Sequence, residues 1–247
     1  MKNITNLLAL SLAGLLVAAP AFGAGTLLYQ QDFEQPVGTL ATDASVGLTH
    51  ILAGDTGVIS ATVIDSGNSL GKGGGVDDTY AALLPSTTTL LAGETLQLDA
   101  VLQIADDSHG LPYITIGDVA GHTWAGGTRV GFDTNGGLEV ACLGPTCNNW
   151  PGSAETTYLG NGGTLRMSLL VKTDETTLHY SLDGAPTATF GPFPYGQSST
   201  DQVVMKLHTV NPDVFIDSVS LMLLPIPEPA SLALLGLGGL ALLRRRR

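Results

Sequence analysis

The 247 residues carry 10 Lys and Arg against 22 Asp and Glu, and only 13% of the chain is charged, about half the roughly 25% usual in a soluble domain. Lys2 and Arg244 to Arg247 stand in apolar terminal stretches and only Glu228 leaves the acidic count with them, so residues 24–224 keep five cations against 21 carboxylates, a formal charge of −16. Such a body repels nucleic acid and anionic membranes, which excludes a phosphate-tracking role, while its roughly 200 residues suffice for one domain with a real core.

In chain order, residues 1–23 come first. Lys2 precedes an apolar run from Leu7 to Ala19, and small residues follow at Ala19-Pro20-Ala21 and Ala21-Phe22-Gly23. This predicts a secretory signal peptide, cleaved after position 21 or 23. The apolar run, about 13 residues, falls short of the roughly 20 that span a bilayer. The partner it implies is the secretion machinery.

Residues 24–224 read as strands throughout. Apolar and polar residues alternate in Leu96, Leu98, Ala100, Leu102 and Ile104 against Thr95, Gln97, Asp99 and Gln103, the period of a half-buried strand. Further strands are expected at 27–33, 46–52, 58–64, 80–84, 113–116, 129–132, 138–142, 203–208 and 214–224. Leu165 to Val171 and Leu178 to Leu182 alternate in the same way, joined by a hairpin over 172–176. Asp183-Gly184 then marks a tight turn of positive φ, followed by a strand over 186–190. No segment holds a 3.6-residue period over three turns. About a dozen short strands between Gly, Asp, Asn and Thr clusters predict an all-β fold, an antiparallel two-sheet sandwich.

The run Leu165 to Phe190 with its Leu-Asp-Gly turn, the opening Tyr29-Gln30-Gln31-Asp32-Phe33-Glu34 and the closing Phe215 to Leu221 resemble the hairpins and terminal strands of laminin-G-like and concanavalin-like jelly rolls, including many carbohydrate-binding modules. The resemblance implies a structural Ca²⁺ held by acidic residues of the first and last strands, here Glu34, Asp32 and Asp217. Hard cations take six to eight oxygen ligands, and an acidic body supplies them. Exposed carboxylates on solvated edges are the plain alternative.

Cys142 and Cys147 are the two cysteines. In an exported chain an even count points to a disulfide, here around a loop so short that it shapes the loop more than it stabilises the domain. Asn148, Asn149 and Trp150 follow directly. An aromatic plate beside amide side chains suits a sugar, ring face on aromatic and hydroxyls on amides; packing of the loop or core is the other role open to Trp150.

Catalytic motifs fail on context. Asp55-Thr56-Gly57 has no second copy to pair its carboxylate. The Gly67 to Gly73 segment lacks the Ser or Thr of a phosphate loop. The Glu-x-Asp-x-Glu of jelly-roll glucanases does not occur. The chain is read as no enzyme.

The last residues, 225–247, hold Pro227-Glu228-Pro229, an apolar stretch from Ala230 to Leu243, and the cluster Arg244, Arg245, Arg246 and Arg247. Fourteen apolar residues make about 21 Å of helix, a marginal transmembrane span, and the arginines would stay cytoplasmic. Prolines favour an extended peptide open to a processing enzyme; a plain single-span anchor is the alternative. The three parts in order resemble the sorting signal of PEP-CTERM proteins. That resemblance implies recognition by an exosortase, transient contact with the inner membrane through a single apolar helix, removal of the tail, and delivery to the cell surface or extracellular matrix, often with exopolysaccharide. The chain thus divides into a signal peptide (1–23), a β-sandwich (24–224) and a sorting signal (225–247). It is expected to be a non-enzymatic surface or matrix protein, with a lectin-like carbohydrate-binding module as the second reading and a jelly-roll glycoside hydrolase or lyase as the third.

Overall fold

The computed structural model describes residues 25–52, 58–60, 67–71, 77–104, 111–117, 127–132, 138–143, 163–208 and 214–226. The expected signal peptide, the Pro-Glu-Pro motif, the apolar segment of the tail and its arginines lie outside these residues. Thr26–Leu224 forms a compact unit of its own.

No helix occurs among the described residues, and the strands form two antiparallel sheets. The eight-stranded sheet contains β1 (Thr26–Gln31), β3 (Val58–Ser60), β4 (Ser69–Gly71), β6 (Thr95–Ile104), β10 (Gly163–Val171), β11 (Thr176–Leu182), β12 (Ala188–Phe193) and β14 (Val214–Leu224). Its order is β12-β11-β10-β6-β14-β4-β3, with β1 also pairing β14. The six-stranded sheet contains β2 (Thr49–Leu52), β5 (Asp77–Thr89), β7 (Leu111–Gly117), β8 (Gly127–Phe132), β9 (Leu138–Leu143) and β13 (Ser199–His208), in the order β2-β5-β13-β7-β8-β9.

Alternation fixes which side of each strand is buried. In β10 every second residue from Gly163 to Val171 is buried and those between are half-exposed. Register then aligns the apolar set across strands: Phe190, Leu178, Leu169, Leu98, Leu221 and Tyr29 stand side by side from β12 to β1. The inner face of the other sheet supplies Tyr80, Ala82, Ile114, Ile116, Val130, Val140, Val203, Met205 and Leu207. Each fully buried Leu or Ile in this layer is worth about 1.5–3 kcal/mol.

The meander of β10, β11 and β12 follows the expected order, and Asp183 and Gly184 close its second turn with φ of 48° and 74°. Both residues are thus left-handed, as a tight hairpin with the right twist requires. After β12, residues 193–199 lock the two sheets at one end. The Thr176 hydroxyl donates to the Tyr195 carbonyl (2.8 Å), the Tyr195 hydroxyl to the Val140 carbonyl (3.2 Å), and the Thr128 amide to Gln197 Oε1 (3.1 Å).

Several details differ from the sequence expectation. Strand β2, expected over 46–52, begins only at Thr49, after the turns over 41–46. Strand β1 stops at Gln31, because Phe33 is fully buried with φ of 54° and a left-handed residue cannot continue a strand; Asp32 and Glu34 therefore stand in the loop after the strand. Strand β12 begins at Ala188, since 183–187 are taken up by the turn. Strand β5 runs on through Pro85 to Thr89. It can do so because the β5–β13 register shifts there, between Thr200 and Gln202 of β13, and proline is tolerated at such bulges. Strand β4, Ser-Leu-Gly, is too short to carry any periodicity.

Candidate functional site

One residue along from the buried row, the same register builds a polar row on the outer face of the eight-stranded sheet. Gln30, Ser220, Asp99, Ser168, His179 and Thr189 are successive cross-strand partners from β1 to β12. At about 4.8 Å per strand the row is about 24 Å long. Its members are held in place: Gln97 Nε2 donates to both oxygens of Asp99 (3.0 and 2.8 Å), and His179 Nδ1 lies 2.9 Å from Thr189 Oγ1.

Toward the β1 side this face is grooved. Ser218 and Ser220 of β14 are short, whereas Gln30 and Asp32 on one side and Asp99 and Arg166 on the other are long, leaving a trough of about 340 Å³ between them. That volume lies at the lower end of small-ligand sites. The trough offers carboxylate acceptors, amide and guanidinium donors, and hydroxyls that do both. Sequence reasoning placed Asp99 on a polar face but did not find the groove.

A second polar cluster surrounds the loop after β1. Gln31 Nε2 donates to the Val46 carbonyl (2.9 Å), and Gln31 Oε1 accepts from the amides of Asp32 (3.0 Å) and Phe33 (3.3 Å). Asn68 Nδ2 donates to the Gln35 carbonyl (2.8 Å). The Ser45 amide and hydroxyl both donate to Asp43 (2.9 and 2.7 Å), holding its carboxyl below the usual carboxylate range. The Glu34 carboxylate lies so close over Gly67 that a Cβ there would occupy its place. Asp217 is buried, at the point where β14 bulges against β6 between Ile216 and Ser218. Among the described residues no three His, Cys, Asp or Glu side chains converge as a metal cage, so Glu34, Asp32 and Asp217 do not form one by themselves. Two buried oxygens on neighbouring segments, Gln35 Oε1 and Ser69 Oγ, have no hydrogen-bond partner and are of the type a hard cation accepts. Tyr29 faces the core from β1; burial pushes its hydroxyl well above the ordinary tyrosine range.

The outer face of the six-stranded sheet differs from its counterpart. Ala81, Val204, Thr115, Arg129 and Ala141 are cross-strand partners on the side away from the core, yet all five are buried. The Arg129 guanidinium, 2% exposed, sits 4.4 Å from the centre of the Tyr113 ring. A cation stacked on an aromatic face is worth about 2 kcal/mol when desolvated. Alternation alone predicts a solvated residue here, so nothing in the sequence marked Arg129 as buried. Cys142 lies on β9 opposite Thr128, while Cys147, Asn148, Asn149 and Trp150 fall outside the described residues.

Residues 225–247 match the PEP-CTERM protein-sorting motif, which marks an exported protein held briefly at the membrane before processing. No curated protein sequence matches the chain. Among solved structures, the chain is similar to the T. cruzi calreticulin globular domain, at 12% identity over 79% of this chain and 87% of that one, with a TM-score of 0.53. It is also similar to peanut lectin (10% identity, 81% and 98% covered, TM-score 0.47) and to the carbohydrate-binding module CBM66 from Bacillus subtilis (12%, 71% and 91%, TM-score 0.41). The likeness to the calreticulin domain, together with the two antiparallel sheets, gives the fold as an all-β jelly-roll sandwich.

Proposed function

We propose that this is a non-enzymatic surface or matrix protein, exported by its leader and released by exosortase removal of the tail. In this reading the acidic sandwich reaches the cell surface or extracellular matrix and associates there with exopolysaccharide. The observation that carries it is the sorting motif at 225–247. A charge of −16 over residues 24–224 agrees with it, since an acidic body stays soluble and avoids anionic surfaces. Replacing Pro227, Glu228 and Pro229 with Ala should leave a full-length precursor in the membrane fraction; release of such a variant at the normal rate and size would overturn the reading.

The second reading, direct glycan binding, is favoured by the hydroxyl, amide and carboxylate lining of the groove on the eight-stranded sheet. Asn148, Asn149 and Trp150, in a loop shaped by a Cys142–Cys147 disulfide, are a separate candidate contact. Saturable glycan binding that disappears in Trp150→Ala would support that loop. A structural Ca²⁺ would take Glu34, Asp32 and Asp217 together with neutral oxygens such as Gln35 Oε1 and Ser69 Oγ, and would tie the loop after β1 to β14.

A further inference from the structure

We propose that the trough on the outer face of the eight-stranded sheet binds a neutral, hydroxyl-rich saccharide chain, which lies across β1, β14, β6 and β10 and continues along the polar row toward β12. The proposal deepens the matrix reading and rests on it only for the presence of glycan around the protein.

The shape comes first. Ser218 and Ser220 form a low floor between the side chains of Gln30 and Asp32 and those of Asp99 and Arg166. Beyond the trough, Ser168, His179 and Thr189 continue the same register line with small or medium polar groups. A polymer laid across the strands therefore meets a hydrogen-bonding side chain about every 4.8 Å.

The chemistry selects the ligand. A sugar hydroxyl both donates and accepts, so it can donate to the carboxylate of Asp99 while accepting from Gln30 or a serine. Hydrogen bonds to charged partners are the stronger kind. Asp99 is already oriented by Gln97 through both oxygens, so little ordering is left for the ligand to bring about. Two carboxylates face one guanidinium in the trough, within a strongly acidic body. Anionic chains, uronates and nucleic acids alike, are therefore repelled.

No aromatic ring lines the trough. Without stacking, each contact is weak. Retention on a matrix comes from the polymer presenting many equivalent units to many protein copies, which raises avidity without any new contact.

The test is calorimetric titration of the purified full chain, in detergent micelles, with cellohexaose and isomaltohexaose as neutral probes and hexagalacturonate as the anionic one. At least one neutral probe should bind saturably, with hexagalacturonate about tenfold weaker or absent. Asp99→Ala and the groove-filling Ser220→Trp should each weaken the neutral probe by about tenfold or more, the loss expected for a hydrogen bond to a charged group, with the thermal midpoint unchanged. Trp150→Ala should leave this binding intact. Absence of saturable binding to both neutral probes, binding that survives both groove variants, or binding lost only in Trp150→Ala would each overturn the proposal. Because the titration needs no export or processing, its failure is distinct from a failure of the sorting reading.

Discussion

Thr26 lies opposite Leu223 in the antiparallel pairing of β1 with β14. The first strand of the sandwich therefore runs back along the last one and covers β14 from Val219 to Leu223. Removing residues 24–31 should leave that length of β14 as a bare edge, of the kind that pairs with other chains, and should take Tyr29 and Leu28 from the margin of the core. We expect the thermal midpoint of the body to fall by at least about 5 °C, since 1 kcal/mol moves a domain of this size by roughly 2–4 °C, with aggregation at high concentration. An unchanged midpoint would mean that β1 contributes nothing to the fold.

Tyr29 also sets an alkaline limit on stability. Its hydroxyl is buried without a hydrogen-bond partner, and burial raises its pKa from the usual 10.0. The neutral form is thus favoured in the folded state: its contribution is fully present below pH 10 and is lost as pH rises above it, where the unfolded chain ionises first. Urea unfolding at pH 8 and pH 11 should show a loss of up to about 1.4 kcal/mol per pH unit from this group. Tyr29→Phe should be at least as stable as the parent at pH 8, because no hydrogen bond is lost, and should lose less on going to pH 11. Equal losses in the two proteins would contradict the assignment.

Gly127 and Gly184 both have positive φ, at 121° and 74°, but their surroundings differ. A Cβ on Gly184 meets nothing within 4 Å, whereas one on Gly127 would run into the Ile116 carbonyl of the neighbouring strand. Gly184→Ala should cost only the left-handed backbone penalty, about 1–2 kcal/mol. Gly127→Ala must also push two paired strands apart and should cost about 3 kcal/mol or more. Denaturant titration of the two variants checks this; equal costs would mean that the strand pairing at Gly127 yields freely.

Calcium, if it joins the loop after β1 to β14 through Glu34, Asp32 and Asp217, stabilises the folded state by mass action. Addition of a chelator should then lower the thermal midpoint, added Ca²⁺ should restore it, and Asp217→Asn should remove the response. A midpoint indifferent to chelator and to Ca²⁺ would dispose of the site.

Most of the sandwich was legible in the sequence because half-buried strands write their inner face as a period of two. Leu98, Leu169 and Leu178 stand in such runs, and Asp183-Gly184 spells its turn. What escaped depends on neighbours in space. The trough gathers Gln30, Asp99, Arg166 and Ser220 from four strands far apart in the chain, and only the register brings them together. Arg129 escaped for a different reason: the alternation correctly places it away from the core, but a face away from the core is solvated only if nothing covers it. Phe33 ends β1 through its left-handed backbone, a conformation that Gly, Asn or Asp would announce and Phe does not.

The central claim is that the tail is a removable address and the acidic sandwich the delivered product. Intact mass of the protein recovered from the cell surface and medium tests it most directly. The account predicts a species that has lost both the leader and the segment carrying Arg244 to Arg247. A recovered species that still carries the four arginines would contradict it.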